Sequence, residues 1–115
     1  MILLLLQSLA TIITPDKPRE ITAQLIIEVV SEHFHISVDQ MISKTRSSEI
    51  ARPRQIAMYL CRNELHESYP TLRDCFKRKD HSTVLYACER VENDMAKDPQ
   101  TRAAVEAIKK LLRNR

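Results

Sequence analysis

A chain of 115 residues has room for one modest hydrophobic core and no second. It contains no glycine, which excludes a P-loop and a dinucleotide-binding fingerprint, because both bring backbone N–H groups closer to a phosphate than a Cβ allows. The net charge of +3 and pI near 8.9 are compatible with a polyanionic partner without establishing one.

Hairpin turns with positive φ also lean on glycine, so an all-α fold suffers least from its absence. The charge is uneven: four basic residues and one acid lie between Lys44 and Arg54, and again between Arg73 and Lys79. The opening run Met1 to Ile13 is apolar. It is too short to span a bilayer, which takes ~20 residues, and it lacks the basic start and cleavage site of a signal peptide. Residues 1–19 are therefore expected to form an apolar helix and a linker, broken by Pro15 and Pro18. Docking on the body or on a partner is expected, with no membrane involved.

Residues 20–115 are expected to form the domain proper. Ile21, Leu25, Ile26, Val29, Val30 and Phe34 fall at helical spacing, with Thr22 or the Arg19-Glu20 pair at the start and His33 and His35 as structural caps at the end. A one-turn helix should carry Val38, Met41 and Ile42 inward. Ser43 to Pro53 reads as an exposed basic loop closed by the proline, and Arg54 to Leu65 as the next helix. Pro70 fits the first turn of a short helix bearing Leu72, Cys75 and Phe76. Asp80 is a good cap for a longer helix through Val84, Leu85, Cys88, Val91 and Met95. Asp98-Pro99 opens the last one, with Ala104, Val105, Ile108, Leu111 and Leu112 inward.

Cys61, Cys75 and Cys88 are odd in number and hold no CxxC pair. Cys75, His81 and Cys88 therefore do not read as zinc ligands, and no metal or cofactor is expected. The bland reading is buried, reduced thiols in a cytosolic protein. No paired carboxylates or nucleophile–base pair appear at useful spacing, so no enzyme is expected.

The informative stretch is Pro70 to Val91: a short helix, the basic turn Lys77-Arg78-Lys79, then a helix opening with Asp80-His81-Ser82-Thr83. In a helix-turn-helix the first residues of the second helix enter the major groove and must be polar and short or planar. Ser and Thr hydrogen-bond base edges, and basic residues ahead of them lie over phosphates. A plain helix start has the same composition, because Asp, Ser and Thr are ordinary capping residues. The two flanking basic clusters favour DNA.

Two blocks carry a resemblance. Ile50 to Leu60 (IARPRQIAMYL) with Lys79 to Ala87 (KDHSTVLYA) is similar to the C-terminal origin-box-binding domain of the bacterial replication initiator DnaA family, over about four-fifths of the chain from Glu20 onward. The resemblance implies a TrpR-like helix-turn-helix bundle. It implies that Arg46 reaches into a minor groove, that Arg54 and Gln55 lie at the backbone and groove edge, and that Asp80, His81, Ser82 and Thr83 occupy the major groove. Arg62 and Lys79 match phosphate-contacting positions, and Lys77 and Arg78 add charge beside the backbone. This chain departs from the pattern where Arg73, and Lys77 with Arg78, replace glycines, so the turn must form without the permissive residue. Thr45 and Ser48 replace basic residues, Leu65 a phosphate-binding threonine, and Ser82 the usual threonine. The family's AAA+ ATPase, with its P-loop, has no counterpart in these residues. The expected function is sequence-specific binding of double-stranded DNA at initiator boxes by a stand-alone, nucleoid-associated protein, as accessory, competitor or transcriptional regulator. The alternative is an interaction module that grips the initiator or its regulatory ATPase through the N-terminal segment.

Overall fold

Residues 21–45 and 47–114 are described by the computed structural model; the segment 1–19, Glu20, Arg46 and Arg115 lie outside them. Helix α1 (Ala23–Phe34) starts where the Thr22 side chain accepts the Leu25 N–H at 3.1 Å. Its apolar stripe buries Ile26, Ile27, Val29 and Val30. It ends at His35, which takes the left-handed conformation (φ 57°) while its N–H bonds Glu32 O and that of Ile36 bonds Ser31 O. That double closure is the ordinary way for a helix to satisfy its last carbonyls. Helix α2 (Val38–Met41) is one turn, fixed by a reciprocal capping box between Ser37 and Gln40, and it drives Met41 fully into the core.

Helix α3 (Ser48–Leu65) corrects the sequence reading, which placed residues 43–53 in a loop ended by Pro53. The helix begins six residues before Arg54, and Pro53 lies inside it. Proline there forfeits the hydrogen bond to Glu49 O and costs ~3 kcal/mol. Burial of Ile50, Pro53, Ile56, Ala57, Leu60 and Cys61 along α3 offsets that cost. Tertiary packing overrides the local stop signal.

Helix α4 (Tyr69–Cys75) has Ser68 as its cap, accepting the Thr71 N–H at 3.3 Å, and Pro70 in its first turn as expected. Helix α5 (Ser82–Lys97) buries Val84, Ala87, Cys88 and Val91. Helix α6 (Pro99–Asn114) opens beneath Asp98, whose carboxylate accepts the Gln100 N–H at 3.0 Å and the Thr101 hydroxyl at 2.9 Å. Arg52 of α3 donates to the same Thr101 oxygen at 2.9 Å and lies 3.6 Å from Asp98, tying the starts of α3 and α6 together.

The described residues are helices and loops with no strand. Helix α3 runs through the middle, with α1 on one side and α5 on the other, while α6 closes over α1 and α5. Helix α4 lies across the α3–α5 pair, and Phe76 at its end is fully buried. The fold is thus an all-α helix-turn-helix bundle. No helix among the described residues is long and apolar enough to cross a membrane. Cys61 and Cys88 are buried and Cys75 half-buried, all as free thiols. Burial raises all three above the ordinary thiol range, Cys88 to about 11.

Two outcomes follow from this packing. Phe76→Ala should cost about 3–5 kcal/mol, read as a lower urea midpoint at unchanged slope. Asp98 is held below the ordinary carboxylate range by the Thr101 hydroxyl first and the Gln100 N–H second. A depressed folded value makes this a stabilisation present above the unfolded value and lost as pH falls from about 4. Asp98→Asn should therefore flatten the acid limb of a pH–stability profile while leaving its neutral slope unchanged.

Candidate nucleic-acid interface

The turn between α4 and α5 is built without glycine. Lys77 adopts the left-handed conformation (φ 55°), its N–H bonds Asp74 O at 3.2 Å, and Arg78 N–H reaches back to Arg73 O at 2.9 Å. These two bonds are the closure that glycine usually makes after a helix. A residue with a Cβ pays about 1–2 kcal/mol for the same geometry. What the chain gains is a lysine on the surface of the turn. The helix-turn-helix therefore closes despite the replaced glycines.

At the far side of the turn the Asp80 carboxylate accepts the Ser82 N–H at 3.0 Å, and this bond holds it below the ordinary carboxylate range. Thr83 N–H bonds Asp80 O, so the first turn winds from Asp80 although regular α-geometry begins at Ser82. Asp80, His81, Ser82 and Thr83 are all exposed at this helix start. His81 Nδ1 lies 3.9 Å from the Asp80 carboxylate.

The turn faces the loop between α2 and α3 across a cleft of about 430 Å³, lined by Lys44, Thr45, Arg54, Lys77, Arg78, Lys79, Asp80 and Thr83. Five cations and one acid share it. Lys44, Lys77 and Lys79 are exposed. Arg54 is different: only 7 % of it is exposed, its Nε donates to Met41 O at 2.8 Å and its Nη2 to Thr45 O at 3.1 Å. Arg78 is half-buried, with Nε on Phe76 O at 2.9 Å and Nη2 shared by Ile42 O at 2.8 Å and Ser43 O at 2.6 Å. Burial lowers both guanidinium pKa values, and for Arg54 the nearby Arg78 charge lowers it further.

Six of the residues singled out from sequence thus meet in one cleft: Arg54, Lys77, Arg78, Lys79, Asp80 and Thr83. His81 and Ser82 stand beside it on the same helix start. Gln55 is half-buried on α3 and Arg62 lies elsewhere, its Nη1 donating to Glu67 O at 2.6 Å and its guanidinium stacked 4.3 Å from the Tyr69 ring. Arg46 lies outside the described residues. Lys44 was missed as an individual residue, although the density of basic residues in its loop pointed to the segment.

The family model for the bacterial DnaA protein helix-turn-helix matches residues 23–91. Among curated relatives, the chromosomal replication initiator protein DnaA of Lachnoclostridium phytofermentans is 44% identical over 89% of this chain, and that of Geobacter sp. strain M21 is 41% identical over 84%. The chain spans only 22% and 21% of the length of those two proteins. Two solved structures share the fold at 30% identity. A crystal structure of a DNA replication initiation factor has a TM-score of 0.72 over 80% of this chain and 28% of its own. The replication initiator DnaA bound to AMPPCP and single-stranded DNA has a TM-score of 0.70 over 81% of this chain and 28% of its own. With more than half of its length matched by the family model, this chain belongs to the DnaA family and carries that family's C-terminal helix-turn-helix domain.

Proposed function

We propose that this domain binds double-stranded DNA sequence-specifically, at sites resembling the initiator's box, and acts there as an accessory, competitor or transcriptional regulator of initiation. One observation carries the reading. The five-cation cleft opens directly beside a helix start whose four consecutive side chains are exposed and polar. Such a juxtaposition supplies the two separate needs of duplex recognition, phosphate contacts that fix register and polar groups that read base edges. Lys44, Lys77 and Lys79 lie over phosphates, while His81, Ser82 and Thr83 enter the major groove. Arg46 extends towards a minor groove, and Gln55 and Arg62 lie at the edges of the footprint. Asp80 fixes the start of the reading helix. Work on the nucleoid in the cytoplasm follows from this reading.

Mobility-shift titrations on duplexes with and without an initiator box, at several salt concentrations, test it. With about five phosphates neutralised, log K against log salt should slope at roughly −4 to −5. The double variant Lys77→Ala/Lys79→Ala should flatten that slope by about one to two units and leave sequence preference as it was. Little binding to either duplex, together with retention of the replication initiator in a pull-down, would favour the interaction-module reading.

Reading of bases is tested separately. His81→Ala should cost about 1–3 kcal/mol on the preferred site and almost nothing on non-specific duplex. Ser82→Thr adds a methyl at an exposed position. Binding to a standard initiator box should tighten by ~0.8 kcal/mol if that methyl packs against a thymine. Unchanged specific affinity in both variants removes α5 from base recognition.

A further inference from the structure

Arg54 and Arg78 come from different elements, a central helix and the recognition turn, yet converge on one short stretch of backbone. Between them they engage the carbonyls of Met41, Ile42, Ser43 and Thr45. Residues 41–43 keep the closing bonds of α2, with Met41 N–H on Ser37 O at 3.0 Å, Ile42 N–H on Val38 O at 3.1 Å and Ser43 N–H on Gln40 O at 3.2 Å, whereas among the described residues the bonds around Thr45 are long. Thr45 N–H meets the Ser43 hydroxyl, and Ser47 N–H the Thr45 hydroxyl, both at 3.4 Å. Beyond the end of α2, the carbonyls of Ser43 and Thr45 are thus held by two guanidinium groups. Neither of them is drawn into an ion pair among the described residues.

We propose that Arg78 is a positioning residue for DNA binding: with Arg54 it locks residues 41–45 so that Lys44 is held in the basic cleft. Duplex affinity then depends on that lock rather than on contacts made by Arg78 itself. The proposal rests on the DNA-binding reading above and gives it a mechanism. Three features carry it. Arg78 spends Nε and Nη2 on carbonyls, as Arg54 does, which leaves the exposed lysines to meet phosphates. Lys44 sits between Ser43 and Thr45, whose carbonyls are both held, so its backbone is fixed on each side. The bonds from Arg78 to Ile42 and Ser43 span 36 and 35 residues of sequence, so the recognition turn and the loop become one rigid unit facing the duplex.

The test compares the parent chain with Arg78→Ala and Arg78→Lys. Lysine keeps the charge but cannot serve the Phe76, Ile42 and Ser43 carbonyls together, because it lacks the planar fork. The first readout is limited digestion by a lysine-specific protease, with cleavage after Lys44 normalised to cleavage after Lys97. Both variants should raise that ratio about tenfold by freeing the loop. The second is duplex affinity at fixed salt, which should fall about tenfold in both, the lysine variant giving no rescue. An unchanged Lys44 ratio, or parental affinity in Arg78→Lys, overturns the proposal. If Arg78→Ala fails to fold by circular dichroism, the lysine variant carries both readouts. Failure of the parent to bind any duplex overturns the DNA reading separately, and the cleavage ratio still decides whether the lock exists.

Discussion

A buried guanidinium is costly unless its donors are satisfied, and Arg54 is buried on the central helix of the bundle. Its Nε and Nη2 are met by main-chain oxygens from Met41 and Thr45. That choice constrains much else. Backbone carbonyls are available in number only where the chain is neither helix nor strand, so the loop between α2 and α3 must pass close over α3. Passing there, it is brought opposite the α4–α5 turn, and Arg78 meets the oxygens that Arg54 does not reach. The cleft exists because one buried cation needs a loop as its partner.

The same economy governs the turn. Among the described residues three take positive φ without being glycine, and each follows a helix: His35 after α1, His66 after α3 and Lys77 just after α4. At each point the backbone N–H returns to a carbonyl of the last turn. The local strain of about 1–2 kcal/mol per site is small beside leaving terminal carbonyls unpaired in a buried setting. At His35 and His66 the left-handed residue is only a stop. At Lys77 it also places an ammonium-bearing side chain on the rim of the cleft, where glycine would leave a bare backbone.

Much of the bundle was legible in advance. Asp98 is legible as the start of the last helix and its side chain accepts the Gln100 N–H, while of Thr22 and the Arg19-Glu20 pair, both open as starts of the first helix, Thr22 accepts the capping bond; Pro70 marks the start of α4, but its cap Ser68 was not singled out. The inward faces of α1, α5 and α6 followed from the 3.6-residue period, except that Leu111, expected inward at the edge of the α6 stripe, is 43 % exposed. Pro53 misled because a proline's cost is local while its compensation is not: the packing of Ile50 and Ile56 that pulls the helix through it is visible only in three dimensions. The arginines of the candidate site raise a related difficulty. A string of letters records that Arg54, Arg62 and Arg78 are positive but not where their donors are spent, and here they are spent on carbonyls.

The division between arginine and lysine in the cleft has a physical basis. A guanidinium is planar, presents several donors at fixed angles and is weakly hydrated, so it can be immobilised against backbone oxygens at modest desolvation cost. An ammonium on a flexible stem is a mobile point charge that keeps its water until a counter-ion replaces it. Here the two guanidiniums form the floor and the three exposed lysines the rim. If the cleft receives a duplex as proposed, a rim of mobile charges would accept small differences in phosphate position without strain, while a fixed floor would keep the loop and the start of α5 in register. Phosphate contacts carry no sequence information, so tolerance there costs nothing in specificity. On the proposed DNA-binding reading, the precision that specificity requires falls to Asp80 and the residues that follow it, where the carboxylate bond to Ser82 N–H sets the first turn.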